Sequence, residues 1–253
     1  MTFTTKSQTH SKSIVVRQEP GDRPTMEDRY SVLDKPGLGL FIGVYDGHGG
    51  SQVADILVHA LGESFFQALA DTGNPTLAFR TAYKNADRLT AEFEEGATAA
   101  TIFLTDNELT FAHVGDCSVI MTGRAVRRLN VVHRVDNPNE RARIVAAGGH
   151  IMDPYVVHHG KGLMPTRAFG DRSMRPAGLI ATPDIATYQL TAEDACVLLA
   201  TDGISDMLDP PTIHQILQSH PTVEQNAEAL IKQAVSHGVS DNMTVILIPI
   251  SNY

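Results

Sequence analysis

The sequence predicts an α+β protein in which antiparallel strands and pairs of helices occupy separate blocks of the chain. Short β-rich runs follow one another between residues 99 and 129 with only short turns between them. Such spacing favours hairpins over βαβ crossovers. Apolar residues at helical spacing fall in separate blocks before and after these strands, and no Pro/Ser-rich linker divides the chain.

The first half begins with a strand and continues with two helices. A strand is predicted over 38–45, ending in the turn Asp-Gly-His-Gly-Gly. Apolar residues at helical spacing predict a helix over roughly 50–70. A second helix is expected from Pro75 toward Glu95, with Leu77, Tyr83 and Leu89 on its buried side.

The remaining elements complete one domain. Strands are predicted over 99–104, 109–114, 119–121, 126–129, 185–190, 195–200 and 243–249. Helices are predicted after Pro138, ending at Gly148-Gly149, and over 211–219 and 222–236. We expect a flexible N-terminus over 1–12 and a single domain over 13–253.

Composition and charge argue against several classes of protein. The 253 residues are 42% hydrophobic, as in a globular domain, and 20 Lys and Arg against 29 Asp and Glu give a net charge of −9. This balance argues against a nucleic-acid binder or a protein that binds anionic membranes. The 2 cysteines are too few for a disulfide framework. We expect a soluble intracellular protein, cytoplasmic or nuclear, without membrane insertion, and monomeric.

Aspartates at the ends of apolar runs are the most informative feature. Asp46 and Asp202 each follow such a run, and Asp241 stands just before another. One strand-end aspartate is usually a turn residue, but three favour a shared site. Carboxylates gathered beside a core repel one another unless a cation neutralises them, and oxygen ligands favour Mg²⁺ or Mn²⁺.

Other residues add the groups needed for phosphate chemistry. Glu27 and Asp28 supply two more carboxylates. Arg23 offers a guanidinium suited to phosphate, and His48 a proton donor near neutral pH. Together these residue types indicate hydrolysis of a phosphate ester.

At these residues the chain resembles the metal-dependent serine/threonine protein phosphatases of the PPM (PP2C) family. The resemblance follows the order of the family's motifs over nearly the whole chain. The matching segments are Arg23 with 26–28, 44–50, 96–99, 114–116, 147–149, 166–171, 201–203 and 240–245. Each segment alone is weak, whereas all of them in order are specific.

The resemblance implies a four-layer αββα sandwich, with two central antiparallel sheets flanked by helix pairs. It also implies two Mg²⁺ or Mn²⁺ ions per active site. By this analogy Asp46 bridges both ions. Asp202 and Asp241 complete one site, whereas Glu27 and the backbone carbonyl of Gly47 hold the other ion. Asp28 is expected to act through metal-bound water, and Asn242 to support Asp241.

The implied activity is hydrolysis of phosphoserine and phosphothreonine esters in phosphoprotein substrates, without a phosphoenzyme. A hydroxide bridging the metals attacks the phosphorus, Arg23 holds the phosphoryl oxygens, and His48 protonates the leaving oxygen. The alternative for His48 is a turn histidine. A weaker third metal site is implied at Asp116 and Asp206, with Asp202 shared. The alternatives are a hairpin residue for Asp116 and a helix-terminal carboxylate for Asp206.

Several features near the expected site leave alternatives open. The resemblance places a variable flap over 171–183, where Arg172 and Arg175 attract phosphopeptides or are simply solvated. Arg167 reaches toward the substrate or forms an ion pair with Asp171. The pair His158-His159 binds metal or is merely exposed.

Three other functions compete with the phosphoprotein phosphatase activity that the resemblance implies. One is a binding module that keeps the fold without turnover, although all the expected ligands are present. Another is hydrolysis of small phosphorylated molecules, although no Gly-rich nucleotide loop appears. The third is a purely structural domain with solvated acidic turns.

Overall fold

The computed structural model describes residues 4–6 and 13–250, and its strands are antiparallel as predicted. The strands are β1 (Thr4–Lys6), β2 (Ser13–Glu19), β3 (Arg29–Lys35), β4 (Gly39–His48), β5 (Gly96–Leu104), β6 (Glu108–Val114), β7 (Ser118–Gly123), β8 (Arg127–Arg128), β9 (His150–Met152), β10 (Tyr155–His158), β11 (Lys161–Leu163), β12 (Phe169–Gly170), β13 (Asp184–Gln189), β14 (Asp194–Ala200) and β15 (Met243–Pro249). The helices are α1 (Gln52–Thr72), α2 (Pro75–Thr90), α3 (Pro138–Ala146), α4 (Asp202–Ser205), α5 (Pro210–Ser219) and α6 (Val223–Ser236), with a 3₁₀ helix at Arg172–Ala177.

The strands form two large sheets that pack face to face. Sheet I has the order β1-β2-β15-β14-β7-β8, and sheet II the order β13-β6-β5-β4-β3, with β12 paired to β5. Helices α1 and α2 pack on the outer face of sheet II, and α5 and α6 on that of sheet I. The protein is therefore the four-layer αββα sandwich expected from the resemblance.

Strand residues alternate between two core layers because successive side chains of a strand point to opposite faces. In β4, Leu40, Ile42 and Val44 pack between the two sheets, whereas Phe41 and Tyr45 pack against α1 and α2. All five are buried. A strand covered on both faces reads as a continuous apolar run, which is why 38–45 was predicted as a strand.

Helix α1 belongs to the core. By length and composition alone its 21 residues meet the requirement for a membrane span. Its buried face, which includes Leu57, Leu61 and Phe65, packs in one cluster with residues of β4 and α2. Those contacts are the ones a core helix makes.

The predicted buried face of α2 is wrong at two of its three positions. Leu77 and Leu89 are 44% and 58% exposed, whereas Tyr83 is fully buried. The buried stripe also holds Phe79 and three alanines. The small alanines permit close approach to the neighbouring layer, and the Tyr83 hydroxyl forms a hydrogen bond with Thr101. Packing therefore determines which side of α2 is buried, and the pattern of large apolar residues predicted a different side.

The end of β4 differs from the prediction in a way that matters for the site. The expected turn after Tyr45 is still strand, since Asp46, Gly47 and His48 pair with Thr98, Ala97 and Gly96 of β5. These residues are consequently fixed by the ladder of sheet II. The expected flexible N-terminus lies outside the described residues except for Thr4–Lys6, a strand paired with β2.

Candidate metal centre

The strand-end aspartates meet at one edge of the sandwich. Asp202 lies two residues beyond the end of β14, and Asp241 lies two residues before β15. These antiparallel neighbours pair Ala200 with Val245. Asp46 reaches the same edge from β4 of the facing sheet, and Asp116 lies in the turn between β6 and β7. The four aspartates line one cleft of about 350 Å³.

The carboxylates of Asp46, Asp116 and Asp202 are the tightest part of this group. One oxygen from each lies within 4.8 Å of the others. Burial, followed by repulsion from Asp202, raises the pKa of Asp46 well above its usual range. Burial and the charge of Asp116 raise the pKa of Asp202 to about 8. Bound cations relieve such repulsion, so the donor set fits hard divalent ions.

Asp28 lies behind this group and carries an orphaned oxygen. The residue is 1% exposed, and its Oδ2 accepts hydrogen bonds from the hydroxyls of Thr201 at 2.9 Å and Thr244 at 2.7 Å. Its Oδ1 is buried without a partner among the described residues. Burial raises the pKa of Asp28 to about 6. An acceptor left open in this place fits the expected contact through metal-bound water.

Glu27 is brought to the cleft by a close backbone approach and a side-chain clamp. A Cβ atom at Gly47 would stand 2.7 Å from the Glu27 carbonyl oxygen, so only glycine permits this contact. The Glu27 N–H donates to Asn242 Oδ1 at 2.6 Å. Asn242 Nδ2 donates in turn to the carbonyls of Pro20 at 2.9 Å and Thr25 at 3.0 Å. Asn242 therefore holds the loop that carries Arg23 and Glu27, a role beyond the predicted support of Asp241.

Arg23 stands at the mouth of the cleft. Its side chain is 57% exposed, and its guanidinium donates to Asp241 Oδ2 at 3.0 Å. The arginine expected to bind phosphate thus lies against one of the expected metal ligands.

His48 is oriented by an aspartate distant in the sequence. Its Nε2 lies 2.7 Å from Asp171 Oδ2, and Asp171 is 5% exposed. Burial acts to lower the pKa of His48, but the hydrogen bond and charge of Asp171 outweigh it and raise the pKa. A histidine whose protonated form is favoured by a neighbouring carboxylate suits proton donation.

The carboxylates expected to hold a third metal ion lie around an arginine. The carboxylates of Asp116, Asp202 and Asp206 all contact the guanidinium of Arg134. The two carboxylates proposed for that site therefore bind a side chain. No sequence pattern distinguished Arg134 from other arginines.

The cleft wall comes from an unexpected segment. This wall is formed by residues 150–165 and not by the expected segment 171–183, and we therefore give the name flap to residues 150–165. They form the small sheet β11-β10-β9 and line the cleft through Tyr155, Leu163, Met164 and Pro165. The expected flap over 171–183 forms the 3₁₀ helix and contributes no lining residue.

The arginines considered for substrate binding are used within the protein. Arg172 pairs with Glu92 and Glu94, and Arg175 with Asp87. Neither expectation for Arg167 is right, because it pairs with Glu140 and Asp184.

Histidines form two clusters outside the cleft. His113 and His133 stack with ring centroids 4.4 Å apart, beside Asp184. The N–H of Gly115 donates a hydrogen bond to His133 Nδ1. The ring proton of His133 is therefore on Nε2, which donates a hydrogen bond to Asp184 Oδ2. This tautomer leaves His133 no free lone pair for a metal, and the cluster is structural. His158 and His159 make an edge-to-face ring contact.

Comparison with known proteins agrees with this geometry. The family profile described as Protein phosphatase 2C matches residues 19–243. The chain belongs to the protein phosphatase 2C family. It is 34% identical over 243 residues to the Arabidopsis thaliana protein named "Probable protein phosphatase 2C 76", with 90% of this chain and 56% of the relative covered. It is 32% identical over 240 residues to "Probable protein phosphatase 2C 52" of Oryza sativa subsp. japonica, covering 90% and 48%.

Two solved structures share the fold. The serine-threonine phosphatase 2C of Toxoplasma gondii superposes with a TM-score of 0.83 at 22% identity, and 98% of each chain is covered. A C. elegans sex-determining protein superposes with a TM-score of 0.82 at 24% identity, covering 97% of this chain and 65% of that one. The chain spans about half the length of the two plant relatives above.

Proposed function

We propose that this protein is a Mg²⁺- or Mn²⁺-dependent phosphatase that hydrolyses phosphoserine and phosphothreonine esters. The observation that carries the proposal is the convergence of carboxylates on one cleft, where an oxygen of Asp46 lies within 4.8 Å of an oxygen of Asp202. Glu27 and Asp241 line the same cleft. Carboxylates gathered at a partly buried edge destabilise the fold through desolvation and mutual repulsion, and a purely structural domain gains nothing that offsets this cost.

The donor set fits two divalent ions. Asp46, Asp202 and Asp241 would hold one ion, and Asp46, Glu27 and the Gly47 carbonyl would hold the other. The unpaired Oδ1 of Asp28 is available to a water bound there. When bound, such ions lower the pKa of water so that hydroxide is available near neutral pH, and they offset negative charge on phosphate oxygens.

The protein's own side chains supply the remaining chemistry. Arg23 gives up its exposed contact with Asp241 to bind the phosphoryl oxygens through two N–H donors. His48, oriented by Asp171, donates a proton to the serine or threonine oxygen as it leaves. Asp171 holds the Nε2 side of the ring, which leaves Nδ1 for the substrate.

The rival functions make different demands on this cleft. A binding module without turnover has no need to keep Glu27, Asp46, Asp202 and Asp241 together. A phosphatase for small molecules is better served by a closed pocket than by an open cleft. The wall formed by Tyr155, Leu163 and Met164 offers apolar contacts to residues beside a phosphorylated one. Phosphoproteins are therefore the favoured substrates, with a role in signalling by dephosphorylation.

The unpaired cysteines Cys117 and Cys196 fit the reducing cytoplasm or nucleus.

The test is release of phosphate from a phosphothreonine peptide with and without Mn²⁺. We expect turnover only with metal, and a loss of at least about a hundredfold in Asp46→Asn and Asp202→Asn. Glu193→Gln is the matched control, because this exposed acid pairs with Arg124 far from the cleft.

Each outcome separates the candidates. Metal-independent turnover, or full activity in the folded Asp46 variant, contradicts the proposed centre. Mn²⁺ binding without release of phosphate from peptides, nucleotides or p-nitrophenyl phosphate favours the binding module. Faster hydrolysis of nucleotides than of the peptide favours the small-molecule phosphatase.

A further inference from the structure

The guanidinium of Arg134 contacts three carboxylates at the candidate metal centre. It lies between β8 and α3, and its side chain is 16% exposed. Each of its three guanidinium nitrogens donates to a different carboxylate. Nε donates to Asp116 Oδ2 at 2.7 Å, Nη1 to Asp206 Oδ2 at 2.7 Å, and Nη2 to Asp202 Oδ2 at 2.9 Å.

In this contact set Arg134 takes the carboxylate oxygens that a third divalent ion would need. Asp116, Asp202 and Asp206 are the carboxylates that the family resemblance assigns to such an ion. Mg²⁺ requires oxygen ligands at about 2.0–2.1 Å in near-octahedral geometry. Here the guanidinium fills the space between the three oxygens and satisfies all of them with planar N–H donors. A third ion would therefore compete with Arg134 for these oxygens.

The backbone keeps Arg134 in this position. Arg134 forms an antiparallel bridge with Pro165 at the edge of the flap. The preceding residue, His133, donates its N–H to the Gly115 carbonyl, and its ring accepts the Gly115 N–H. Gly115 directly precedes Asp116, so the guanidinium and its first carboxylate partner are held by one set of backbone contacts.

We propose that Arg134 replaces the third metal ion, so that the centre is complete with two bound ions. The inference rests on the proposed function only in assuming the two-ion centre. A guanidinium is charged at every relevant pH and cannot dissociate from the chain, unlike a weakly held ion. It binds Asp202 through Oδ2 alone, so Oδ1 of Asp202 stays available to the two-ion centre. Through Pro165 it also joins the flap to the acidic cluster.

The test is the number of Mn²⁺ ions bound per chain at saturation, measured by equilibrium dialysis and elemental analysis of the full chain. We expect two for the wild type and three for Arg134→Ala, because removing the guanidinium frees three carboxylates. Arg124→Ala is the matched control, an arginine in an exposed ion pair, and its count should stay at two. Asp206→Asn added to Arg134→Ala should remove the third ion.

Asp206→Asn in the wild-type background keeps the proposal testable if Arg134→Ala fails to fold. We expect its count to stay at two, since Asp206 binds Arg134 instead of a metal. Three ions in the wild type, or loss of one ion in Asp206→Asn, overturns the proposal. So does a count of two in folded Arg134→Ala. A wild type that binds two ions but releases no phosphate contradicts the proposed activity and leaves this inference standing. A wild type that binds none overturns both.

Discussion

Asn242 Oδ1 accepts a hydrogen bond of 2.6 Å from the backbone N–H of Glu27, across 215 positions of the sequence. The same side chain donates to the carbonyls of Pro20 and Thr25. One amide thus ties the loop that carries two site residues to the start of β15, beside Asp241. The loop needs such a clamp because Thr25 and Arg23 lie on the surface.

Asn242→Ala should release this loop and weaken metal binding through Glu27. Loss of a residue that orients a metal ligand typically costs about 10–100-fold in affinity. The measurement is a Mn²⁺ titration by calorimetry, with Asn226→Ala as the control, since Asn226 bonds Leu217 away from the cleft. Unchanged Mn²⁺ affinity in folded Asn242→Ala would show that Glu27 does not depend on this clamp.

Asp171→Asn should slow the chemical step without loosening the metals. The neutral amide does not raise the pKa of His48 as the carboxylate does, so proton donation to a poor leaving group suffers. We expect kcat on a phosphothreonine peptide to fall by about tenfold or more. Hydrolysis of p-nitrophenyl phosphate, whose leaving group needs no proton, should change by less than about threefold. Equal losses on both substrates would assign Asp171 a structural role only.

Gly96→Ala should give the same substrate-dependent loss by a steric route. A Cβ atom at Gly96 would stand 2.0 Å from Asp171 Oδ2 and 2.2 Å from His48 Nε2, so it must separate the pair. Gly162→Ala serves as the control, because the nearest atom to its added Cβ is 3.6 Å away. Comparing peptide and p-nitrophenyl phosphate kinetics checks the expectation, and a fully active Gly96→Ala contradicts it.

The strand-end aspartates made much of this site predictable from the sequence. An apolar run followed by Asp46 or Asp202 places the carboxylate at a sheet edge, because a strand buried on both faces must end where polar residues begin. Two facing sheets then bring such edges together. The prediction placed Asp46 in a turn, whereas it lies in β4. Asp46 nevertheless lies close to its predicted position, because β4 continues past Tyr45 to His48.

Arg134 and the face of α2 could not be predicted in the same way. Arg134 contacts carboxylates 18, 68 and 72 positions away, and a single arginine carries no periodic signal. Leu77 and Leu89 fitted an apolar stripe, yet the packed face of α2 is built around Phe79, Tyr83 and alanines. Both features depend on which elements become neighbours, and local residue patterns do not encode that.

Glu140 should stabilise the fold in a pH-dependent manner. Its carboxylate is 3% exposed and accepts hydrogen bonds from Arg143, Arg167 and Thr166. Burial acts to raise the pKa of Glu140, but these bonds outweigh it and lower the pKa from 4.5 to about 2. A carboxylate with a depressed pKa contributes stability that is complete above the unfolded value and is lost as pH falls through the folded one.

Glu140→Gln should therefore lower the free energy of unfolding at pH 7 by about 2 kcal/mol, since two arginines lose their shared partner. The difference from the wild type should persist down to about pH 5 and shrink toward pH 2. Urea unfolding at several pH values measures it, with Glu228→Gln as the control, because Glu228 pairs with Lys232 on the exposed surface. A difference that grows as the pH falls would reverse the sign of the linkage and contradict the role assigned to the carboxylate.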